Sequence, residues 1–489
     1  ILEKLAINIF EAGKRRTSSF GHKKTVPPSD FYLGRSPKPY DPREEEGVFL
    51  SPEERNCHSY ILGSSGSGKT TFLEKCIRHD IMQKKGFCFL DAHGDATQRI
   101  LAFMASLWQK KQGKQKEEMV RSLILVEPFN NERITGYNPL ETASGIATYP
   151  CAIEMLDVFK RRWPDFGPRM EELFRVCLVT LADNGLTLLE LPLLLTDRKV
   201  RESLAANLTN PDIKAYWLDR YDKLSQGQEV QYREPVLNKV TAFIADDNVR
   251  HMIGQAKSTF DFRKAMDTGK WIVINLCMGR LQNSVLLGGL LLAKIRLASL
   301  SRADILLDQR RDFFLYLDEF ENFINAREGV DLEVLLAQSK KYRLHLTMAH
   351  QTLSQIDNSL LNAVLGNIGA LFCFRLSYAD AVSLSPVLNP SDKKTLCNNL
   401  IKLKTGEAYS RVKGKPCRLI KVPFPRLDYV APQVVEDFKD SSLSFSTRSL
   451  AEVKKEIEER HRKLKAQGNT ANGGYRFHKE NFWEGQNGW

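Results

Sequence analysis

One stretch of eight residues constrains this chain more than any other. Residues 63–70 read GSSGSGKT and follow the short apolar run 60–62. This is the pattern G-x-x-x-x-G-K-[ST], whose glycines let successive backbone N–H groups turn inward around phosphate oxygens. Apolar residues then recur at helical spacing: Phe72, Cys76, Ile77 and Ile81. The sequence therefore predicts a strand, a phosphate loop and a helix in that order, and we expect a nucleoside triphosphate to bind there.

The loop supplies the groups that a bound triphosphate requires. Lys69 brings a positive charge to the β and γ oxygens, and the hydroxyl of Thr70 is a ligand for the Mg²⁺ that bridges them. The residues predicted to contact the nucleotide are Gly63, Ser64, Ser65, Gly66, Ser67, Gly68, Lys69, Thr70 and Thr71. A nucleoside triphosphate and Mg²⁺ are therefore the predicted ligands.

A second site is predicted where the apolar run 313–317 ends in two adjacent carboxylates, Asp318 and Glu319. A strand of this kind buries itself in a sheet and delivers its acids to the metal. We expect Asp318 to hold Mg²⁺ through water and Glu319 to act as general base on the attacking water. The alternative for this segment alone is an ordinary strand followed by an acidic helix cap. Together with the phosphate loop, the pair predicts hydrolysis.

A third polar position follows the apolar run 344–349. The amide of Gln351 is placed to hydrogen-bond both the γ-phosphate and the attacking water, so it is predicted to sense the nucleotide state. The neighbouring His350 has two interpretations, a functional one and a structural one, and a lone histidine is more often structural.

Composition narrows the class of protein. The chain has 489 residues, 71 Lys+Arg and 59 Asp+Glu, for a formal charge of +12, which favours an anionic partner and leaves nucleic acid and acidic membranes open. Its nine cysteines contain no C-x-x-C pair, so neither a disulfide framework nor a zinc site is predicted and a reducing cytoplasm fits. The most apolar stretch, 285–300, is interrupted by Lys294 and Arg296, so we expect no membrane span; an anchor upstream of Ile1 stays open.

Patterning predicts an α/β protein with a mostly parallel sheet, an all-α insertion, a C-terminal β-hairpin and a helical tail. Strands are predicted near 59–62, 87–90, 122–126, 271–276, 313–317, 344–349 and 370–376, and a hairpin at 407–412 and 417–422 that closes the sheet edge. The predicted divisions are an arm or linker (1–45), a first core half (46–142), an all-α insertion (143–267), a second core half (268–440) and a flexible tail with one charged helix (441–489).

The order of motifs resembles a known family. The motifs are DAHGD at 91–95, FGPRME at 166–171, the acids at 318–319 and AHQ at 349–351. Over about residues 46–425 the chain is similar to the HerA/FtsK superfamily of ring ATPases, most of all to type IV secretion coupling proteins and their conjugative DNA-transfer relatives. The resemblance implies a RecA-like core, a homo-hexamer with ATP at subunit boundaries, DNA drawn through a central channel and an inserted all-α domain. ATP rather than GTP also follows from it, since no Asn-Lys-x-Asp motif is present.

Two departures from the family pattern stand out. Ala92 occupies a position where relatives commonly carry proline, and Ser339-Lys340-Lys341 stands where they often have Ala-Arg-Lys. The second departure leaves the trans-acting arginine unassigned, because lysine does not replace a planar guanidinium at a phosphate. Arg343 and Arg375 are the candidates, with Arg55 third; the alternative for each is a surface or interface charge.

The function predicted from these observations is an ATP-driven DNA translocase acting as the coupling motor of a conjugation or type IV secretion system. DNA would be held by backbone charge, with basic runs at 110–116 and 160–162 as candidates, although such runs are often solvated faces. Alternatives are a nucleotide-assembled hub that recruits relaxase or effector proteins, and a motor partnered with a nuclease in DNA-end processing. Relaxase or secretion-channel proteins are expected partners. The expected location is the cytoplasm, including the cytoplasmic face of the inner membrane if an upstream segment anchors the chain.

Overall fold

The computed structural model of the chain describes residues 29–38, 40–41, 43–142, 146–163, 165–277, 283–323, 330–425 and 429–469. The basic clusters predicted in residues 14–24 lie outside the described residues.

An eleven-stranded sheet organises the fold. Its strands are β1 (Phe31–Pro37), β2 (Glu45–Leu50), β3 (His58–Leu62), β4 (Gly86–Asp91), β5 (Leu123–Val126), β7 (Trp271–Asn275), β8 (Phe313–Leu317), β9 (Leu344–His350), β10 (Ile368–Cys373), β11 (Glu407–Val412) and β12 (Arg418–Lys421). The spatial order is β2-β1-β12-β11-β10-β3-β9-β8-β4-β7-β5. The seven strands from β10 to β5 are parallel, and the remaining four are antiparallel. A two-stranded sheet pairs β6 (Arg133–Ile134) with β13 (Arg448–Ser449).

The parallel strands are mostly apolar because both faces of the sheet are covered. In β4, Phe87 and Phe89 join one buried cluster, whereas Cys88 and Leu90 join another on the opposite face. The predicted α/β class with a mostly parallel sheet is therefore confirmed.

Helices cover both faces. Those that precede β6 are α1 (Pro52–Arg55), α2 (Lys69–Met82), α3 (Asp95–Trp108) and α4 (Gly113–Ser122). Those between β6 and β7 are α5 (Thr148–Arg162), α6 (Pro168–Asp183), α7 (Leu191–Thr196), α8 (Arg198–Ala206), α9 (Pro211–Ala215), α10 (Gln226–Ile244), α11 (Asp247–Ile253) and α12 (Phe262–Thr268). After β7 come α13 (Ser284–Ser301), α14 (Val330–Ser339), α15 (Asn358–Asn367), α16 (Tyr378–Leu388), α17 (Lys393–Lys402), α18 (Pro432–Ser446) and α19 (Leu450–Asn469).

The described part of the segment between β6 and β7 contains helices joined by turns and no strand, as the pattern predicts for residues 143–267. Its apolar residues belong to the same buried cluster as one face of the sheet. Its division from the core as a separate domain stays a prediction.

One described helix, Ser284–Asp304, is long and apolar enough to cross a membrane by length and composition, with a mean hydropathy of 1.5. However, 61% of its apolar window is buried inside the protein, where Gly289 lies against Val158 of α5. Burial of this kind is typical of the core helix of a folded domain.

The predicted arm at residues 1–45 is wrong for its last part. β1 lies inside the sheet, with Phe31 and Leu33 buried, and pairs with both β2 and β12. Gly34 allows this contact, because a Cβ there would stand 2.2 Å from the carbonyl oxygen of Lys421. The β11–β12 hairpin is present, but it does not close the sheet edge as predicted, because β1 and β2 extend the sheet beyond it.

The prediction of a flexible tail from residue 441 is also wrong for the described part. The serine-rich segment belongs to α18, whose Phe438 and Leu443 are buried. The charged helix α19 is opened by the predicted capping box of Ser449 and Glu452. It packs on the helical insertion through three buried residues at helical spacing: Val453, Ile457 and Leu464.

Candidate nucleotide site

The phosphate loop connects β3 to α2 at the carboxyl edge of the parallel strands. Gly66 and Gly68 have φ values of +70° and +110°, in the left-handed region that favours glycine. At Gly63 the constraint is space, because a Cβ there would stand 2.6 Å from the Cβ of Phe374. Glycine at these three positions therefore lets the loop turn tightly over the sheet.

Neighbouring strands fix the backbone of the loop. Gly63 N donates to the carbonyl of His350 at 3.3 Å, and Ser64 N donates to the carbonyl of Arg375 at 2.8 Å. On the far side, Gly406 N donates to the carbonyl of Ser67 at 3.0 Å. The loop is thus held by the segments that follow β9, β10 and α17.

Lys69 begins α2 and is buried, with 6% of its surface exposed. Its Nζ donates to the carbonyl of Ser64 at 3.2 Å, across the loop. Burial lowers the pKa of Lys69, and the nearby charges of Asp318 and Glu319 oppose that shift. The ammonium group is therefore held over the loop and faces the acids.

Asp318 lies beside the loop, as its place at the end of β8 predicts. The hydroxyl of Thr70 donates to Asp318 Oδ2 at 3.0 Å, and Oδ1 has no hydrogen-bond partner among the described residues. Burial raises the pKa of Asp318 to about 6; the Thr70 hydrogen bond opposes this rise, whereas the charges of Asp91 and Glu319 add to it. Burial, together with Glu319 and Asp318, also raises the pKa of Glu321 to about 7. Lys69 offsets only part of the negative charge of this acidic group, and a dication would offset more.

Glu319 follows Asp318 with φ of +50°, a left-handed conformation that is uncommon for this residue type. Its carboxylate is held from two neighbouring strand ends. His93 Nε2 lies 2.6 Å from Glu319 Oε2, and Gln351 Nε2 donates to Glu319 Oε1. The structure therefore brings together residues that follow β4, β8 and β9.

Asp91 explains how His93 reaches that position. Its carboxylate accepts hydrogen bonds from the backbone N–H groups of His93, Gly94 and Thr97 and from the Thr97 hydroxyl. These bonds close the turn between β4 and α3, so Ala92 does not need to constrain it. Burial opposes a charge on His93, but the hydrogen bond and charge of Glu319, with Asp318 and Asp91, raise the pKa of that imidazole.

His350 lies inside the protein at the end of β9. It is fully buried, and its Nδ1 lies 2.9 Å from the hydroxyl of Tyr60. Burial and the charge of Lys69 lower the pKa of His350 to about 4, so the ring is neutral at pH 7.

The three candidate arginines lie in different places. Arg375 belongs to the site itself, because its carbonyl accepts from both N and Oγ of Ser64. Arg343 lies at the opposite edge, before β9, and pairs with Asp312 at 3.3 Å. Arg55 is buried against Asp80 and Tyr316, so its candidacy as a finger is wrong.

The two basic runs lie on elements other than those that form the nucleotide site. Residues 110–116 span the end of the connection between α3 and α4 and the first turn of α4, where Lys116 Nζ lies 3.9 Å from the centre of the Trp108 ring. Residues 160–162 end α5, where Lys160 pairs with Glu171 at 3.1 Å. DNA contact by either run stays a prediction.

In the described ranges, no group of three or more His, Cys, Asp or Glu side chains is arranged to hold a metal alone. The Thr70 hydroxyl and the unpaired Oδ1 of Asp318 are oxygen donors, the type that Mg²⁺ prefers. These residues fit Mg²⁺ provided that phosphate oxygens complete its ligands, as is usual where Mg²⁺ binds with a nucleotide.

Sequence reasoning missed two contributors to the site. His93 was recognised only as part of a motif, and its contact with Glu319 depends on the adjacency of β4 and β8. Thr405 and Gly406 were not singled out, yet the Thr405 hydroxyl donates to the carbonyl of Gly66 at 3.2 Å. The only available signal was the turn-forming glycine before β11.

A scan against protein-family models and a search of curated proteins each found no match. Among solved structures, the bacterial conjugative coupling protein TrwB, in its unbound monoclinic form, matches with 14% identity and a TM-score of 0.51 over 79% of this chain and 89% of its own. VirB4 of Thermoanaerobacter pseudethanolicus matches with 14% identity and a TM-score of 0.54 over 84% of this chain and 99% of its own. At this level of identity the likeness establishes a shared fold, and it is the fold that the motif resemblance implied.

Proposed function

We propose that this protein is a Mg²⁺-dependent ATPase that moves DNA, as the coupling motor of a conjugation or type IV secretion system. One observation carries the catalytic part: the acids that end β8 lie against the phosphate loop, with Thr70 bonded to Asp318 and Glu319 held by Gln351. The phosphate loop and the acids after β8 are separated by about 250 positions in the sequence. A loop that only bound a nucleotide would not require these acids beside it.

Each side chain has a role that follows from its position. Lys69 transfers its hydrogen bond from the Ser64 carbonyl to the terminal phosphates, and Thr70 with Asp318 would hold Mg²⁺. When bound, Mg²⁺ would neutralise the charge that develops on the phosphate oxygens. Glu319 takes the proton of the attacking water, and Gln351 orients that water and responds when the terminal phosphate is lost.

The mechanical part of the proposal is supported by the shared fold and by the charge of the chain. TrwB is described as a conjugative coupling protein, and its fold covers most of this sequence. A formal charge of +12 suits contact with a DNA backbone. We propose a homo-hexamer in the cytoplasm or at the cytoplasmic face of the inner membrane, with Arg343 or Arg375 as the trans-acting arginine and relaxase or secretion-channel proteins as partners.

The test is ATP hydrolysis by the purified chain with and without DNA. Single-stranded and duplex DNA are tested separately. We expect at least one of them to raise the rate of ATP hydrolysis, and we expect salt to weaken this effect. Lys69→Ala should abolish nucleotide binding. Glu319→Gln should retain binding and lower kcat about a hundred- to ten-thousand-fold, the usual contribution of a general base.

Glu118→Gln is the matched control, because Glu118 is an exposed carboxylate on α4. It should leave kcat unchanged. A hydrolysis rate that no DNA alters would contradict translocation while leaving the ATPase intact. Normal turnover by Glu319→Gln would contradict the catalytic assignment itself.

A further inference from the structure

The phosphate loop has two unlike sides. β3 lies between β9 and β10 in the sheet. On the β9 side are Asp318, Glu319 and Gln351, which are the groups proposed to act on the terminal phosphate. On the β10 side, the described residues that contact the phosphate loop belong to the loop of Thr405 and Gly406 and to the segment after β10. A nucleotide whose terminal phosphate lies at the acids must extend its base away from them, toward the second side.

An exposed aromatic ring stands on that second side. Phe424 follows β12 and is 62% exposed, and it is the one phenylalanine in the described ranges whose side chain is mostly exposed. A Cβ on Gly406 would stand 3.6 Å from Phe424 Cε2, so the ring lies directly beside this glycine. Gly406 in turn abuts the start of α2, because a Cβ on Gly68 would stand 3.3 Å from Gly406 N.

The contacts that hold this arrangement are made by backbone. Gly406 has a φ of +82°. Its N–H donates to the carbonyl of Ser67, and its own carbonyl accepts from Val422 N at 2.8 Å. Phe424 follows Val422 by two residues, which keeps it close to the phosphate loop. Because position 406 is glycine, no side chain there stands between the Phe424 ring and the loop.

We propose that the ring of Phe424 is the nucleobase platform of this site, on which a purine stacks once its phosphates occupy the loop. The inference rests on the proposed function, since it presumes a nucleotide in the phosphate loop. Stacking on an aromatic ring is tolerant of base identity, because every base has a π face. Phe424 therefore provides affinity for nucleosides over bare polyphosphate, and it does not discriminate ATP from GTP.

The test is calorimetric titration of the full chain carrying Glu319→Gln, so that ATP is not consumed. The titrants are ATP, GTP and inorganic tripolyphosphate, each with Mg²⁺. Phe424→Ala should weaken ATP and GTP binding about tenfold or more, by equal factors, and leave tripolyphosphate binding unchanged. Phe424→Trp should retain wild-type affinity for all three, whereas Phe424→Leu should behave like alanine.

Tyr40→Ala is the matched control, because Tyr40 is a fully exposed aromatic residue in the turn between β1 and β2. It should change none of the three affinities. If Phe424→Ala weakened tripolyphosphate as much as ATP, the ring would act by supporting the loop and the platform would be refuted. Unchanged ATP affinity would refute it as well. If the parent chain bound neither ATP nor tripolyphosphate, the proposed function would fail instead.

Discussion

Tyr316 and Asp318 lie two residues apart in and just after β8, yet their surroundings are opposite. The hydroxyl of Tyr316 donates to Asp80 and accepts from Arg55, and Arg55 pairs with Asp80 at 3.2 Å. All three side chains are buried. Asp318 is equally buried, and Asp80 and Asp318 each keep one carboxylate oxygen without a partner among the described residues. Asp80, however, is paired with an arginine, whereas Asp318 lies near two further acids, Asp91 and Glu319. The first cluster pairs opposite charges, and the second gathers like charges beside Lys69.

The difference separates structural charge from functional charge. Burial opposes the charge on Arg55, but Tyr316 and Asp80 outweigh that effect and raise the pKa of the guanidinium. Burial raises the pKa of Asp80 as well, and there the charge of Arg55 and the Tyr316 hydrogen bond oppose the rise. Burial also raises the pKa of Asp318, but there the charges of Asp91 and Glu319 add to the rise. Uncompensated buried acids are costly to the fold and are typical of sites that bind a cation or catalyse a reaction. Opposite effects on stability should therefore follow from removing an acid at each edge.

The largest effect is expected at the amino edge. Asp80→Ala leaves the buried Arg55 without its carboxylate, and it should lower the free energy of unfolding by about 3–5 kcal/mol. Chemical denaturation measures this change. Arg55→Met combined with Asp80→Leu removes both charges and should cost less than Asp80→Ala alone. A double variant as unstable as the single one would show that the site depends on packing and not on charge pairing.

The next effect has the opposite sign and depends on pH. The folded pKa of Asp318 is about 6, above its ordinary value of 3.8, so between these values the folded state binds more protons than the unfolded state. Stability from this group is therefore present at low pH and is lost as pH rises to about 6. Asp318→Asn removes that loss.

The free energy of unfolding of Asp318→Asn, compared with that of the wild type, should be higher at pH 7.5 than at pH 4.5. Without nucleotide or Mg²⁺, the difference between the two proteins should increase by about 1–3 kcal/mol from the lower pH to the higher. Denaturant titrations at the two pH values measure it. Any packing cost of the asparagine is the same at both, so only the change with pH tests the idea. A difference that stays constant with pH would contradict it.

The sequence predicts the carboxyl edge better than the rest. Strands β4, β7 and β8 are almost continuous apolar runs, and β3 and β9 are largely apolar with a few polar residues; each ends at a polar residue or a glycine loop, so their type and ends are encoded locally. The phosphate loop and the acids after β8 could thus be assigned to one site from their motifs and their places after apolar strands.

What the sequence could not predict depends on contacts between distant segments. β1 starts with a short apolar run, 31–33, inside a proline-rich stretch, and pairing with β2 and β12 makes it a strand. Likewise, the sequence predicts a flexible tail with one charged helix, whereas Arg460 of α19 donates to Glu190, 270 positions away. His93 could not be tied to Glu319 without the strand order.

Glu190 is a third buried carboxylate, and like Asp80 it has a positively charged partner. It is 1% exposed and accepts from Arg460 Nε at 3.0 Å, from His461 Nε2 at 2.9 Å and from Thr187. Burial opposes its charge, but His461, Arg460 and Thr187 outweigh that effect and lower the pKa of Glu190. Its contribution to stability is therefore present at neutral pH and is lost as pH falls through the folded pKa.

Arg460→Ala should weaken the docking of α19 by about 1–3 kcal/mol, because a charged hydrogen bond to a buried acid is lost. Hydrogen exchange of the amides in Leu450–Asn469 measures this, and exchange there should accelerate while β8 stays protected. Lys454→Ala, at an exposed position on the same helix, is the control and should have no effect. Equal exchange in all three proteins would mean that the apolar contacts alone hold the helix.

The smallest expected effect is a change in the pKa of His93, which tests the contacts of Glu319 at the carboxyl edge of the sheet and requires no change in stability there. Glu319 is a main cause of the raised pKa of His93, acting against burial. In Glu319→Gln the hydrogen bond can persist, but the negative charge is gone, so the pKa of His93 should fall toward its ordinary value of about 6.5. NMR titration of labelled histidines measures it, with His93→Asn to assign the resonance.

Because His350 is buried against Tyr60, its resonance should not move in the same experiment. If the pKa of His93 were the same with glutamate and glutamine, the two side chains would not be in contact in solution, and Glu319 would be held by Gln351 alone.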